Sequence, residues 1–115
     1  MSHVWDFVIK RNDTGPDLEV QCLDEDGDPV DISGYGSITF KMRNMKTGIT
    51  KVDSPASPVS ITNGRIKYVW QAADTNIGAE YEGEFKVVMG TGQTITFPNN
   101  TFIKIKVYES VTALA

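Results

Sequence analysis

Apolar side chains recur at every second position along much of this chain, and no segment keeps them at helical spacing over three turns. A period of two sends alternate residues to opposite faces of an extended strand, so the expected architecture is sheet packed on sheet. The first such stretch has Trp5, Phe7 and Ile9 on one parity, Asp6 and Lys10 on the other. Leu18, Val20 and Cys22 form the inward face of a second, with Glu19 and Gln21 outward, and Val30 and Ile32 continue briefly after the next turn. Ile38, Phe40 and Met42 against Thr39, Lys41 and Arg43 give one of the clearest strands. Later, Tyr81, Phe85, Val87 and Met89 alternate with Glu80, Glu82, Glu84 and Lys86, although Gly83 interrupts the inward row. Ile103, Ile105 and Val107 are the inward residues of the last strand.

Turn chemistry separates these stretches. Residues 12–16, Glu25-Asp26-Gly27-Asp28-Pro29, Lys46-Thr47-Gly48, Gly90-Thr91-Gly92 and Pro98-Asn99-Asn100 all carry the glycine, proline, asparagine or aspartate that tight turns need. Asn63-Gly64 is the strongest hairpin signal and predicts that the stretch holding Val59 and Ile61 pairs with the one holding Ile66, Tyr68 and Trp70. Residues 54–58 contain two prolines, which places them at a sheet edge. Residues 71–78 are the one segment suited to a helical turn.

About seven to nine short, mainly antiparallel strands in a chain of this length describe an all-β, immunoglobulin-like β-sandwich, with a small barrel as the alternative. Residues 1–115 are expected to be one such domain, with its core over about residues 4–109. Asp74-Thr75-Asn76-Ile77-Gly78-Ala79-Glu80-Tyr81 has the Asp, Gly and Tyr grouping of a tyrosine corner, in which the Tyr81 hydroxyl bonds back to upstream backbone. The cysteine that follows this corner in antibody domains is replaced here by Gly83.

Charge narrows the function. Fifteen acidic against 11 basic residues give a net charge of -4, the wrong sign for a nucleic-acid partner. No apolar run approaches the roughly 20 residues of a membrane span, and the N-terminus lacks the basic flank and apolar stretch of a secretory leader, so a soluble, unexported protein is expected. Cys22 is the only cysteine, which excludes an internal disulfide and a cysteine metal cluster; its apolar neighbours mark it as a small buried hydrophobe. His3 is the only histidine and stands beside the N-terminus, badly placed as the general base of a serine or cysteine nucleophile. The glycine pairs Gly34-Tyr35-Gly36 and Gly90-Thr91-Gly92 precede strands rather than helices, so they read as turns and not as phosphate cradles. No catalytic, cofactor-binding or metal-ligating residue is assigned, and no enzyme activity is expected.

Three features invite a binding role. Asp24-Glu25-Asp26-Gly27-Asp28 superficially resembles a calcium loop, but its glycine falls two positions early and the closing glutamate is missing, which favours a solvated turn. Glu80, Glu82 and Glu84 line one strand face, where Lys104 and Lys106 are the expected cross-strand partners. Trp5, Tyr35 and Tyr108 are the aromatics that would stack on sugar rings if the chain were a carbohydrate-binding or adhesin module.

Several stretches, in order, resemble the N-terminal immunoglobulin-like domain of the baseplate upper protein family of tailed bacteriophages and prophages. They are Asp6-Phe7 with Ile9-Lys10-Arg11-Asn12-Asp13-Thr14, Leu18-Glu19-Val20, Leu23-Asp24-Glu25-Asp26-Gly27-Asp28-Pro29-Val30-Asp31 and Ile38-Thr39-Phe40-Lys41-Met42-Arg43. Asn63-Gly64-Arg65-Ile66-Lys67-Tyr68, Trp70-Gln71-Ala72-Ala73-Asp74-Thr75, residues 78–85 and Gly92-Gln93-Thr94-Ile95-Thr96-Phe97-Pro98-Asn99 complete the set. The resemblance implies a virion component, assembled in many copies in the bacterial host cytoplasm, whose sandwich docks on other phage proteins of the baseplate, tail or neck. It brings no active site. Members of that family commonly continue into a long C-terminal extension, whereas this sequence ends soon after its last strand, so a capsid-decorating role stands as the alternative.

Overall fold

The computed structural model describes residues 5–98 and 101–109. Among them are strands β1 (Phe7–Lys10), β2 (Leu18–Gln21), β3 (Tyr35–Asn44), β4 (Thr50–Pro55), β5 (Ser57–Ser60), β6 (Arg65–Tyr68), β7 (Ala79–Met89), β8 (Thr94–Phe97) and β9 (Ile103–Tyr108), with a 3-10 turn at Ala72–Thr75. One sheet runs β1-β9-β7-β3-β4 with β8 also on β7, and the other runs β2-β6-β5. All pairings are antiparallel except that of β1 on β9. The chain switches sheets between β1 and β2, β2 and β3, β4 and β5, and β6 and β7, which makes the expected immunoglobulin-like β-sandwich.

The alternation read from the sequence is the alternation that fills the core. Ile38, Phe40 and Met42 on β3, Tyr81, Phe85 and Val87 on β7, and Ile103, Ile105 and Val107 on β9 are buried in one sheet; Leu18, Cys22, Ile66, Tyr68 and Trp70 come from the other. Phe40 lies at the centre, its ring centroid 4.8 Å from Tyr68, 4.9 Å from Phe85 and 5.8 Å from Trp70. Such aromatic pairs add about 0.5–1.5 kcal/mol each beyond the area they bury. Trp70 Nε1 is buried with no acceptor among the described residues, so Trp70 contributes through its apolar ring.

Gly83 breaks the inward row because Phe40 fills its place: a Cβ there would lie 2.9 Å from Phe40 Cε1 and 3.2 Å from Ile105 Cδ1. The corner forms as its sequence implies, with Tyr81 Oη donating to the Ile77 carbonyl at 2.8 Å. Asp74 has a different task in the same segment. Its Oδ2 accepts from Tyr68 Oη at 2.5 Å and from the Gln71 amide at 2.8 Å, fixing the 3-10 turn to β6.

Some local expectations change. The β5–β6 pairing holds, but the register resumes at Ser60 and Arg65, so residues 61–64 make the connection rather than Asn63-Gly64 alone. The register also breaks between Pro58 and Ser60, and both Val59 and Ile61 are exposed. Val30 and Ile32 form no strand; an isolated bridge from Leu23 to Pro29 closes the acidic turn, and Ile32 is buried from a loop. Trp5 precedes β1 and does not share the inward row of Phe7 and Ile9: its ring lies 5.7 Å from Lys106 Nζ, and Lys106 alternates with the core residues Ile105 and Val107. Residues 54–58 do occupy edges, because β4 and β5 end the two sheets.

Candidate functional site

The aromatics proposed as a sugar platform are divided. Trp5 and Tyr108 converge on one cation, Lys106 Nζ, at 5.7 and 5.3 Å from the ring centroids. Glu80 Oε2 holds the same ammonium at 3.2 Å, so a lysine of the chain itself occupies the place between the rings. Tyr35 pairs with Met89 at the opposite end of β7 from Ala79, which pairs with Val107. Ten residues of strand separate these ends, roughly 30 Å.

The glutamate ladder is largely answered from within. Glu80 meets Lys106 as expected. Glu82 sits in register with Lys104, yet its carboxylate pairs with Arg43 Nε at 2.6 Å, reaching across to β3 instead of to β9. Glu84 and Lys86 lie 3.7 Å apart on their own strand. Arg43 is in turn covered by the Phe102 ring at 5.1 Å. Partly exposed pairs of this kind contribute roughly 0–1 kcal/mol apiece and leave a mixed-charge face rather than an acidic one.

In the acidic turn, one oxygen from each of Asp24, Asp26 and Asp28 falls within 4.8 Å of the others, and all three residues are exposed. Asp24 Oδ1 already accepts from the amides of Asp26 and Asp28 at 2.9 and 3.0 Å. This is an aspartate organising its own turn. Cys22 is fully buried, and burial pushes its thiol up to about 11, which withholds the nucleophilic thiolate at neutral pH. His3 lies outside the described residues.

A groove that no single sequence stretch announced opens beside β2. It encloses about 570 Å³ between Phe7 of β1, all four residues of β2, and the segment around Phe97, Pro98, Phe102 and Ile103. Its origin is an interruption in the strand that follows β7. β8 pairs with β7 down to Phe97 opposite Phe85, and β9 resumes with Ile103 opposite Gly83. One position on β7, Glu84, is thus matched by five on its partner, and of these Pro98, Thr101 and Phe102 line the groove. Pro98, which has no amide proton to give, stands where the ladder stops. The lining includes Asp6, Glu19, Asp24 and Glu25 and not one lysine or arginine.

Fold and site together define an immunoglobulin-like sandwich with an acidic-rimmed, apolar groove on one open side. No protein-family model matches the chain, and no curated protein matches it either.

Proposed function

We propose that this chain is a structural component of a tailed-bacteriophage virion, acting without catalysis as a protein-docking domain of the baseplate, tail or neck. The observation that carries this reading is the ordered resemblance to the baseplate upper protein domain. Its stretches run through β1, β2, the acidic turn, β3, β6 with the 3-10 turn, the Tyr81 corner and β8 of the sandwich described above. A resemblance distributed over successive elements of one fold supports shared descent more than any single turn motif would. The mixed-charge outer face and the buried, inert Cys22 suit a rigid module that works through its rims and edges.

The test is direct. In particles purified from a producing host, the chain should be found by mass spectrometry at a fixed multi-copy ratio to the major structural proteins, and an electron-microscopy map should show where it sits. A chain that stays in the soluble fraction while particles assemble without it would end the virion reading. Density on the head shell instead of the tail would favour the decorating role. On a glycan array the chain should give no signal above background, because Lys106 fills the Trp5–Tyr108 pair and Tyr35 is remote from it.

A further inference from the structure

We infer that the groove beside β2 receives an extended segment of a partner protein, added as a strand to the free edge of β2 and carrying lysine or arginine beside its apolar residues. The inference rests on the docking reading for the kind of partner, another protein, and adds the surface and the chemistry it selects.

The sandwich has five sheet edges, β1, β4 and β8 in one sheet, β2 and β5 in the other. Four carry features that discourage pairing. Pro58 and a register break blunt β5, Lys51 and Pro55 lie on β4, Lys10 ends β1, and β8 runs directly into Pro98. β2, with the sequence Leu18-Glu19-Val20-Gln21, has no proline, no lysine and no bulge.

The register shows which backbone groups are free there. Cys22 donates its amide to the Gly64 carbonyl at 2.8 Å, so it belongs to the hydrogen-bonded set of the β2–β6 ladder. Leu18 opposite Tyr68 and Val20 opposite Ile66 fall on the same phase, two residues apart. Glu19 and Gln21 are on the other phase, and their N–H and C=O groups point away from β6 toward the free edge. A segment laid along that edge finds two donors and two acceptors in strand register.

Side chains of such a segment alternate, and one row would enter the groove over Phe7, Leu18, Phe97 and Ile103. The rim decides the partner's charge: Glu19 is paired with Arg65 of β6 at 3.8 Å, but Asp6, Asp24 and Glu25 also border the groove, and none of the described lining residues is a lysine or arginine. A second copy is the poorer occupant, since pairing β2 with β2 would set these carboxylates against their equivalents in a chain of net charge -4.

The probe is a nine-residue synthetic peptide alternating Val and Thr with Lys at each end, titrated into the isotope-labelled full chain at low salt. Amide exchange at Glu19 and Gln21 should slow at least tenfold, and a peptide ended with Glu should need at least tenfold more to give the same protection. Gln21→Pro removes one outward amide, and with it the bond that Gln21 Nε2 donates to the Asn63 carbonyl at 3.0 Å, but keeps the backbone ladder to β6, and it should abolish that protection. Should this variant unfold, Glu25→Lys on the exposed rim should by itself weaken the Lys-ended peptide several-fold. Protection confined to other edges, indifference to the charge of the peptide ends, or protection of Glu19 and Gln21 by self-association alone would overturn the inference. Repeating the exchange on particle-bound chain separates the two proposals. Binding to particles with Glu19 and Gln21 unprotected removes the groove and leaves the virion role. Peptide protection without any binding to particles does the reverse.

Discussion

A glycine in the middle of a core strand normally weakens it, yet Gly83 is the residue that lets Phe40 reach the centre of the aromatic cluster. Because a methyl group would lie 2.9 Å from Phe40 Cε1, Gly83→Ala forces the ring or the strand to move. Overpacking of this kind costs about 1–3 kcal/mol, and the denaturant midpoint should fall accordingly with an unchanged slope. Cys22 makes a second single-residue prediction. Burial raises its thiol from 9.0 to about 11, so the unfolded chain ionises first, and the native state is at full advantage only below about pH 9. Between pH 9 and 11 stability should decline by at most ~3 kcal/mol on this account, and Cys22→Ala should remove that portion of the decline. The Tyr68 hydroxyl, raised by burial and then by the Asp74 carboxylate, adds a further loss that begins above its ordinary value of 10.0 and persists in the variant. Urea titrations across this pH range read both.

At the scale of elements, the 3-10 turn between β6 and β7 is tied to β6 by the Asp74 carboxylate and to the β1–β2 connection by buried Thr75, whose hydroxyl donates to the Asp13 carbonyl and whose carbonyl accepts from the Asn12 amide. Asp74→Ala would take the acceptor from the buried Tyr68 Oη, at about 1–3 kcal/mol, and from the Gln71 amide, which is exposed enough to turn to water at smaller cost. Tyr68→Phe in the same background should recover part of the loss, since it removes one of the stranded donors; a double-mutant cycle monitored by thermal unfolding measures the coupling. The sequence made most strands legible because alternation reports burial, and burial is what Phe40, Phe85 and Ile105 contribute. Alternation fixes the face a residue presents, not the neighbour its strand chooses. For that reason the parallel seat of β1 on β9 and the free edge of β2 could not be read from it, whereas the break between β8 and β9 is marked by the turn chemistry that begins at Pro98. Trp5 shows where alternation stops: ahead of the first ladder pair its ring turns to Lys106 instead of the core. The groove escaped for the same reason, as its walls come from β1, β2 and the residues Phe97, Pro98, Thr101, Phe102 and Ile103, stretches far apart in sequence.

For the molecule as a whole, the question is whether two sheets joined mainly by side chains behave as one cooperative unit. The aromatic cluster crosses between them: Phe7, Phe40 and Phe85 come from the larger sheet, while Tyr68 lies on β6 and Trp70 just beyond it. Tyr68 and Trp70 also meet edge to face at 5.3 Å, so neither can leave the cluster without disturbing the rings it touches. Backbone order in each sheet therefore depends on contacts to the other, and a separate melting of β2-β6-β5 would expose the inner face of both. In a Trp5→Phe variant, Trp70 is the only indole, and its fluorescence reports the junction between the sheets while far-ultraviolet circular dichroism reports the strands. The two signals should give coincident urea transitions with the same midpoint and slope. An indole transition that clearly precedes the loss of strand signal would show that the sheets part before they unfold, and the rigid docking surface argued above would then lack its foundation.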